Sequence, residues 1–267
     1  MNNLKKIIEE ICNENKINYQ YISDNYVMVL EKNGKYRYIY NNLIGINSMI
    51  SGKIVDDKYA MYEILNLHHI PVVKYDLVWC NQNKENKLEI NKTIKYLIEY
   101  FNNNNKHIVL KPNNGYAGIN VFNIQTIKDL KDNFLKLLNY TDAIVVNPFY
   151  KIKNEHRIII LNNEIRLMYT KNLSNNNWQF NLSYGNYVTK ITDEKLKKEL
   201  SKLSLKVYSL LNSKFISIDI IEDYNHNLYV LEVNGSVTIN KYLEQMPNDY
   251  NIVKKIYWDA IEELFKN

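Results

Sequence analysis

Leu110-Lys111-Pro112-Asn113-Asn114-Gly115-Tyr116-Ala117-Gly118 is the stretch on which the reading of this chain turns. A β-rich run, His107–Lys111, delivers a lysine. Proline ends the run, and two glycines follow before a second β-rich run, Ile119–Ile124. Glycine lets backbone N–H groups approach phosphate oxygens closely, and lysine supplies a point charge. The loop returns to a strand rather than opening a helix, so it is neither a Walker loop nor a Rossmann fingerprint. Taken alone, it reads equally as an ordinary hairpin with an exposed lysine.

Upstream, Asn91–Phe101 places Ile94, Leu97, Ile98 and Phe101 on one helical face, after a polar, loop-like Asn81–Asn91. Val72–Trp79 reads as a strand, and Lys58–Leu67 as a helix that ends before Ile70-Pro71. Tyr26–Lys32 and Lys35–Tyr40 flank Asn33-Gly34, a favoured hairpin pair. The start, Met1–Ile11, is an amphipathic helix rather than a signal peptide. Downstream, Thr126 caps a helix, Ala143–Val146 is a short strand, and His156–Leu161 pairs with Glu164–Tyr169 about Asn162-Asn163. Thr192 is the expected cap of a helix with core residues Leu196, Leu200, Leu203, Val207 and Leu211. Strands Phe215–Ile221 and Leu228–Asn234 and a helix Tyr250–Phe265 close the chain. Mixed strands and helices with several hairpins indicate an α+β fold.

The 267 residues, 46% hydrophobic, suffice for one large domain or a few closely packed subdomains. No apolar run reaches bilayer length, so no membrane partner is expected. The net charge of +5 is spread through every segment without a basic stripe, which argues against nucleic acid. Cys12 and Cys80 form no framework and read as ordinary thiols in a reducing, cytoplasmic setting. The five histidines show no ligand spacing. Only seven glycines occur, and four of them (Gly115, Gly118, Gly185, Gly235) fall in the segments that carry chemistry.

Two further constellations stand out. Ser217, Asp219 and Ile221 share one strand face, and Val230, Glu232 and Asn234 share another. A hairpin symmetric about Asn225-His226 would set Asp219 opposite Glu232, with Cβ atoms about 4.5–5.5 Å apart. Like charges so placed destabilise a sheet unless a cation lies between them, and few protein oxygens plus phosphates is how Mg²⁺ is usually held. A slipped register would instead put one acid in water. The second constellation is Glu155-His156-Arg157, where Arg157 is one of three arginines. Its guanidinium could fork onto a phosphoryl or acyl oxygen. It could equally be a surface group on an edge strand.

Read in order, Asp57-Lys58, Ile70-Pro71, the lysine–glycine loop, Asn147-Pro148-Phe149, Glu155-x-Arg157, Phe180-Asn181-Leu182 with Gly185, Asp219 and Glu232-x-Asn234 resemble the ATP-grasp superfamily. Within it they are similar to RimK-type glutamate ligases and their glutathione-synthetase and cyanophycin-synthetase relatives. The likeness runs from about Ile54 to Ser236. It implies an ATP-dependent, ADP-forming carboxylate–amine ligase working through an acyl phosphate, with ATP and Mg²⁺ (or Mn²⁺) as cofactors. Lys58 and Lys111 would contact the phosphates, and Gly115, Tyr116, Ala117 and Gly118 would form a mobile loop over them. Asn147, Pro148 and Phe149 would be the hinge whose backbone reads the adenine edge. Glu155 would hold the ribose, and Arg157 would act with Lys111 in catalysis by steadying the acyl phosphate. Asn181 would belong to the phosphate site, and Asp219, Glu232 and Asn234 would hold the metal.

The sequence departs from the family at three places. Asn147-Pro148 stands where a Gln-Glu pair is common. Gln179 replaces an arginine two residues before Asn181. The segment before Ile54 matches weakly. The expected architecture is an N-terminal α/β cap (1–75), a central lid (76–142) and a C-terminal metal-bearing subdomain (143–267), with ATP between the last two. Substrates would be a small-molecule or peptide carboxylate and an amine, and a homodimer is admitted. The rivals are a nucleotide-binding module without ligation and a kinase acting on a hydroxyl.

Overall fold

A computed structural model describes residues 3–80, 87–174 and 177–266. The chain forms two compact units, one of Met1–Val55, Asn154–Ile220 and Val233–Asn267, the other of Asp56–Lys153 and Ile221–Glu232.

In the first unit, α1 (Asn3–Glu14) buries Leu4, Ile7, Ile8 and Ile11, the face its spacing predicts. An antiparallel meander follows: β1 (Asn18–Ile22), β2 (Val27–Lys32), β3 (Lys35–Tyr40) and β4 (Leu43–Ile44). Asn33 and Gly34 both take positive φ, 53° and 75°, as a type I′ turn requires. Helix α2 (Met49–Asp56) was not legible in the sequence, because Met49 and Ile50 point outward and leave no apolar stripe.

The second unit opens with α3 (Lys58–Leu67), capped by the Asp57 carboxylate on the Ala60 N–H at 2.8 Å. Strand β5 (Asp76–Trp79) is shorter than expected, because the preceding segment bonds to another strand: the Val73 N–H donates to the Val230 carbonyl at 2.9 Å. Helix α4 (Lys87–Asn103) starts one turn before Asn91, because Ile90 extends the apolar stripe and Glu89 favours the first turn. Residues 81–86 of the expected polar loop lie outside the described residues. Then come β6 (Ile108–Pro112), β7 (Phe122–Ile124), α5 (Ile127–Leu138) and β8 (Ala143–Pro148), in a sheet of order β5-β8-β6-β7. The Thr126 hydroxyl caps α5 as expected. One sheet face, with Ile108, Leu110, Ile144 and Val146, packs with Leu97, Phe101, Leu130 and Phe134 of the two helices. Alternation puts Val109, Lys111, Val145 and Asn147 on the other face.

Strands β9 (Ile152–Leu161), β10 (Glu164–Asn172) and β11 (Tyr187–Lys190) precede α6 (Glu194–Leu211), β12 (Phe215–Asp223) and β13 (Leu228–Asn234). Helices α7 (Asn240–Gln245) and α8 (Tyr250–Lys266) end the chain. The strand order is β11-β10-β9-β12-β13, so Arg157 lies on an interior strand and the edge-strand alternative is excluded. The α6 cap is Asp193, not Thr192: one Asp193 carboxylate oxygen accepts the N–H groups of Lys195 and Leu196 at 2.8 and 3.2 Å. A carboxylate at this end also suits the helix dipole better than a hydroxyl. Ile159, Leu161, Tyr169 and Phe215 join the buried faces of α1, the meander and α8 in the core of the first unit. Among the described residues, no helix is long and apolar enough to cross a membrane.

Candidate active site

The lysine–glycine loop of the second unit is organised by a lysine from outside it. Lys58, in the first turn of α3, is buried, and its ammonium donates to the Gly115 carbonyl at 2.8 Å and the Asn113 carbonyl at 3.4 Å. Asn113 is buried as well, and its side-chain oxygen accepts the Tyr59 N–H at 3.0 Å. Ala117 and Gly118 take positive φ, 56° and 69°, which turns the chain back toward β7. The Tyr116 ring is 76% exposed and Gly115 has room for no more than ordinary contact with Pro112, so the loop tip stands outside the packed sheet. Lys111 is buried on β6, and its ammonium lies 2.8 Å from the Tyr75 hydroxyl. Among the described residues, Lys58 makes no ion pair. A buried ammonium met by neutral oxygens keeps its charge available to an anion.

At the expected hinge, Asn147 is buried, and its side-chain nitrogen donates to the Pro148 carbonyl at 2.7 Å. Its side-chain oxygen is buried without a hydrogen-bond partner among the described residues. The Phe149 N–H is engaged by the His107 carbonyl at 3.0 Å, and its ring stacks on His107 with centroids 3.8 Å apart. The hinge backbone is therefore partly used within its own sheet. A carbonyl keeps a second lone pair, so the Pro148 oxygen can still accept.

In the first unit, Glu155, Arg157, Lys171 and Asp219 form one buried ion-pair chain. Arg157 grips Asp219 with two donors, Nε to Oδ1 at 2.7 Å and Nη2 to Oδ2 at 2.5 Å. Lys171 Nζ lies 3.1 Å from Asp219 Oδ1 and 2.5 Å from Glu155 Oε1. Burial pushes the Asp219 carboxyl up, but Arg157 and then Lys171 outweigh it and hold the group well below the usual carboxylate range. Burial and Arg157 push Lys171 down, yet Asp219 and Glu155 leave it above the usual lysine value. Two acids and two cations balance, so protein cations already answer the charge of Asp219.

Lys171 was absent from the sequence reading, for a reason the register gives. Counting evenly about Asn162-Asn163 sets Thr170 opposite Glu155. A bulge at Arg166, between the pairs Ile165–Ile160 and Leu167–Ile159, shifts every later pair by one and brings Lys171 there instead.

Asn181 caps a short 3₁₀ turn, Leu182–Tyr184, by accepting the Ser183 N–H at 2.9 Å, and Gly185 ends that turn at φ 81°. Asn186, also missed from sequence, is buried and donates to the carbonyls of Gln179 and Asn181 at 2.6 and 2.9 Å. Glu232 and Asn234 lie two apart on β13, and the turn before it closes by the Asp223 N–H on the Asn227 carbonyl at 3.0 Å. Among the described residues, no three His, Cys, Asp or Glu side chains converge as a metal centre. Glu232 and Asn234 offer hard oxygen donors of the kind that Mg²⁺ takes together with phosphates and water, whereas Arg157 and Lys171 already engage both oxygens of Asp219.

The fold matches that of ATP-grasp ligases. It superposes on the D-alanine–D-alanine ligase of Bacillus anthracis complexed with ATP with a TM-score of 0.60 at 17% identity, over 82% of this chain and 69% of that one. It superposes on the ATP-grasp ligase PsnB, complexed with a minimal precursor, Mg and ADP, with a TM-score of 0.57 at 13% identity, over 82% of this chain and 62% of that one. Residues 55–258 match the RimK-like ATP-grasp domain, and the chain belongs to that family. A curated relative is the α-aminoadipate–LysW ligase LysX of Saccharolobus solfataricus, 28% identical over 214 residues, 78% of this chain and 70% of that protein. The family is one of ATP-dependent, C–N bond-forming carboxylate–amine ligases that use ATP with Mg²⁺.

Proposed function

We propose that this chain activates the carboxylate of an amino acid or peptide as an acyl phosphate and passes the acyl group to an amine, releasing ADP and phosphate. The observation that carries the nucleotide reading is Lys58, a buried ammonium held by the carbonyls of the lysine–glycine loop. Lys58 and Lys111 are assigned to the polyphosphate, and the loop Gly115, Tyr116, Ala117, Gly118 to covering it. The orphan oxygen of Asn147 suits an amino group on the adenine ring, next to the Pro148 carbonyl and the Phe149 backbone. Glu155 is assigned to the ribose, and Asn181 to the phosphate side through its loop.

Bound at Asp219, Glu232 and Asn234, Mg²⁺ would offset the charge of the terminal phosphates. The substrate carboxylate attacks the γ-phosphorus in line, so catalysis rests on positioning and electrostatics. The amine then adds to the acyl carbon, phosphate leaves, and the amine's proton passes to solvent. Arg157 supplies the cation beside the developing oxyanion. Its grip on Asp219 sets its orientation beforehand, and together with Lys171 it holds the Asp219 carboxyl ionised.

The LysX name pairs an amino acid with LysW. That supports an amino acid as one substrate here and a peptide or protein as the other. We keep the three subdomains that the sequence suggests, 1–75, 76–142 and 143–267, as part of this proposal, and assign the reaction to the cytoplasm.

The test is incubation with Mg-ATP, amino-acid pools and peptides, read by mass spectrometry and by hydroxylamine trapping of the acyl phosphate. An amide product with one ADP per bond is expected. ATP binding without ADP release on any pool would leave a nucleotide-binding module, and a stable phosphorylated product would leave a kinase.

A further inference from the structure

Tyr75 has no role in the reading above, yet it is the fully buried partner of the phosphate lysine. Its hydroxyl lies 2.8 Å from Lys111 Nζ and 3.0 Å from the Leu231 carbonyl. The direction of both bonds is forced: an ammonium only donates and a carbonyl only accepts. The single phenol hydrogen therefore goes to Leu231, and the phenol lone pair receives Lys111. The same ammonium sits 4.5 Å from the Tyr75 ring centroid, within cation–π range. The ring is fixed in turn by an edge-on contact with Tyr62, centroids 6.1 Å apart. Leu231 directly precedes Glu232 on β13.

We propose that Tyr75 is a positioning residue for ATP. It would orient Lys111 by a hydroxyl bridge to the strand that carries Glu232, without neutralising the charge that the polyphosphate needs. A carboxylate in its place would spend that charge, and an aliphatic residue would let the ammonium turn. This inference rests on the assignment of Lys111 to the phosphates.

Tyr75→Phe keeps the ring, its packing and the cation–π contact, and removes only the bridge. Affinities for ATP and for adenosine, which lacks phosphate, are measured by calorimetry on the wild type, Tyr75→Phe, Lys111→Ala and the double variant. The expected result is a roughly 5- to 10-fold loss of ATP affinity in Tyr75→Phe, about 1–1.4 kcal/mol. Adenosine affinity should stay within about 2-fold, and the double variant should be no weaker than Lys111→Ala. Equal losses for ATP and adenosine, additive losses, or no loss would overturn the role of Tyr75. Full ATP affinity in Lys111→Ala, or a wild type that binds no ATP at all, would instead overturn the phosphate assignment, and this inference with it.

Discussion

Lys171 joins two carboxylates, Glu155 and Asp219, to which the proposed function gives different tasks, and it is 4% exposed. Removing it leaves two buried acids facing one arginine. Lys171→Met should therefore lower stability by about 3–5 kcal/mol, as breaking a buried pair does. Lys171→Arg, which keeps the charge, should recover most of that loss, and urea unfolding of both variants checks it. Asp249 gives a milder case. Its carboxylate receives Lys190 at 2.8 Å and the Tyr242 hydroxyl, and these bonds hold its pKa below the usual value. A depressed carboxylate stabilises the fold above its unfolded pKa, near 4, and loses that contribution as pH falls through the folded value. Asp249→Asn should be less stable than the wild type at pH 7, and the gap should narrow from about pH 4 downward. Unfolding free energies at pH 7, 4 and 3 decide it. A constant gap would mean that packing, not charge, is at stake.

Among the elements, the β9–β10 hairpin matters most, because its one-residue bulge selects which side chains face Glu155 and Arg157. Arg166, at the bulge, is tied to Asp259 on α8. Deleting Arg166 should close the bulge without changing any later pair, so Lys171 stays opposite Glu155 and ligation persists, while stability falls by more than in the point variant because the local twist is lost along with the tie to Asp259. Arg166→Ala keeps the extra residue and loses only a partly exposed pair. It should cost about 1 kcal/mol or less and leave turnover near wild type. Thermal unfolding separates the two, and ADP release should persist in both. The α6 cap offers a second comparison. Asp193→Ala should cost about 1 kcal/mol, whereas Thr192→Ala should change little, because the carboxylate holds both N–H groups. Matched urea curves would show the opposite order if the threonine were the cap.

Across the whole molecule, the first 54 residues fall outside the match to the family domain and yet share the core of the first unit. Ile7 on α1 is buried in one cluster with Leu30 of the meander, Ile159 of β9 and Tyr257 of α8. Ile7→Ala should cost about 2–5 kcal/mol, the range for emptying a buried aliphatic site. Unfolding should stay cooperative within the first unit. A local change confined to the N-terminal segment, seen by hydrogen exchange, would mean that the segment is an appendage instead.

Local chemistry was enough for much of this protein. The Asn33-Gly34 hairpin, the faces of α1 and α3 and the strand–loop–strand form of the lysine–glycine stretch follow from propensity, periodicity and turn residues, all short-range properties, while the order of the motifs along the chain carries the family resemblance. The tertiary structure decided the rest. A bulge placed Lys171, contact with Val230 shortened β5, a carboxylate took the cap of α6, and Tyr75 met Lys111 across 36 positions of chain. These outcomes depend on which distant groups share a buried, low-dielectric space, where charges must find partners, and the linear order of residues carries no measure of that proximity.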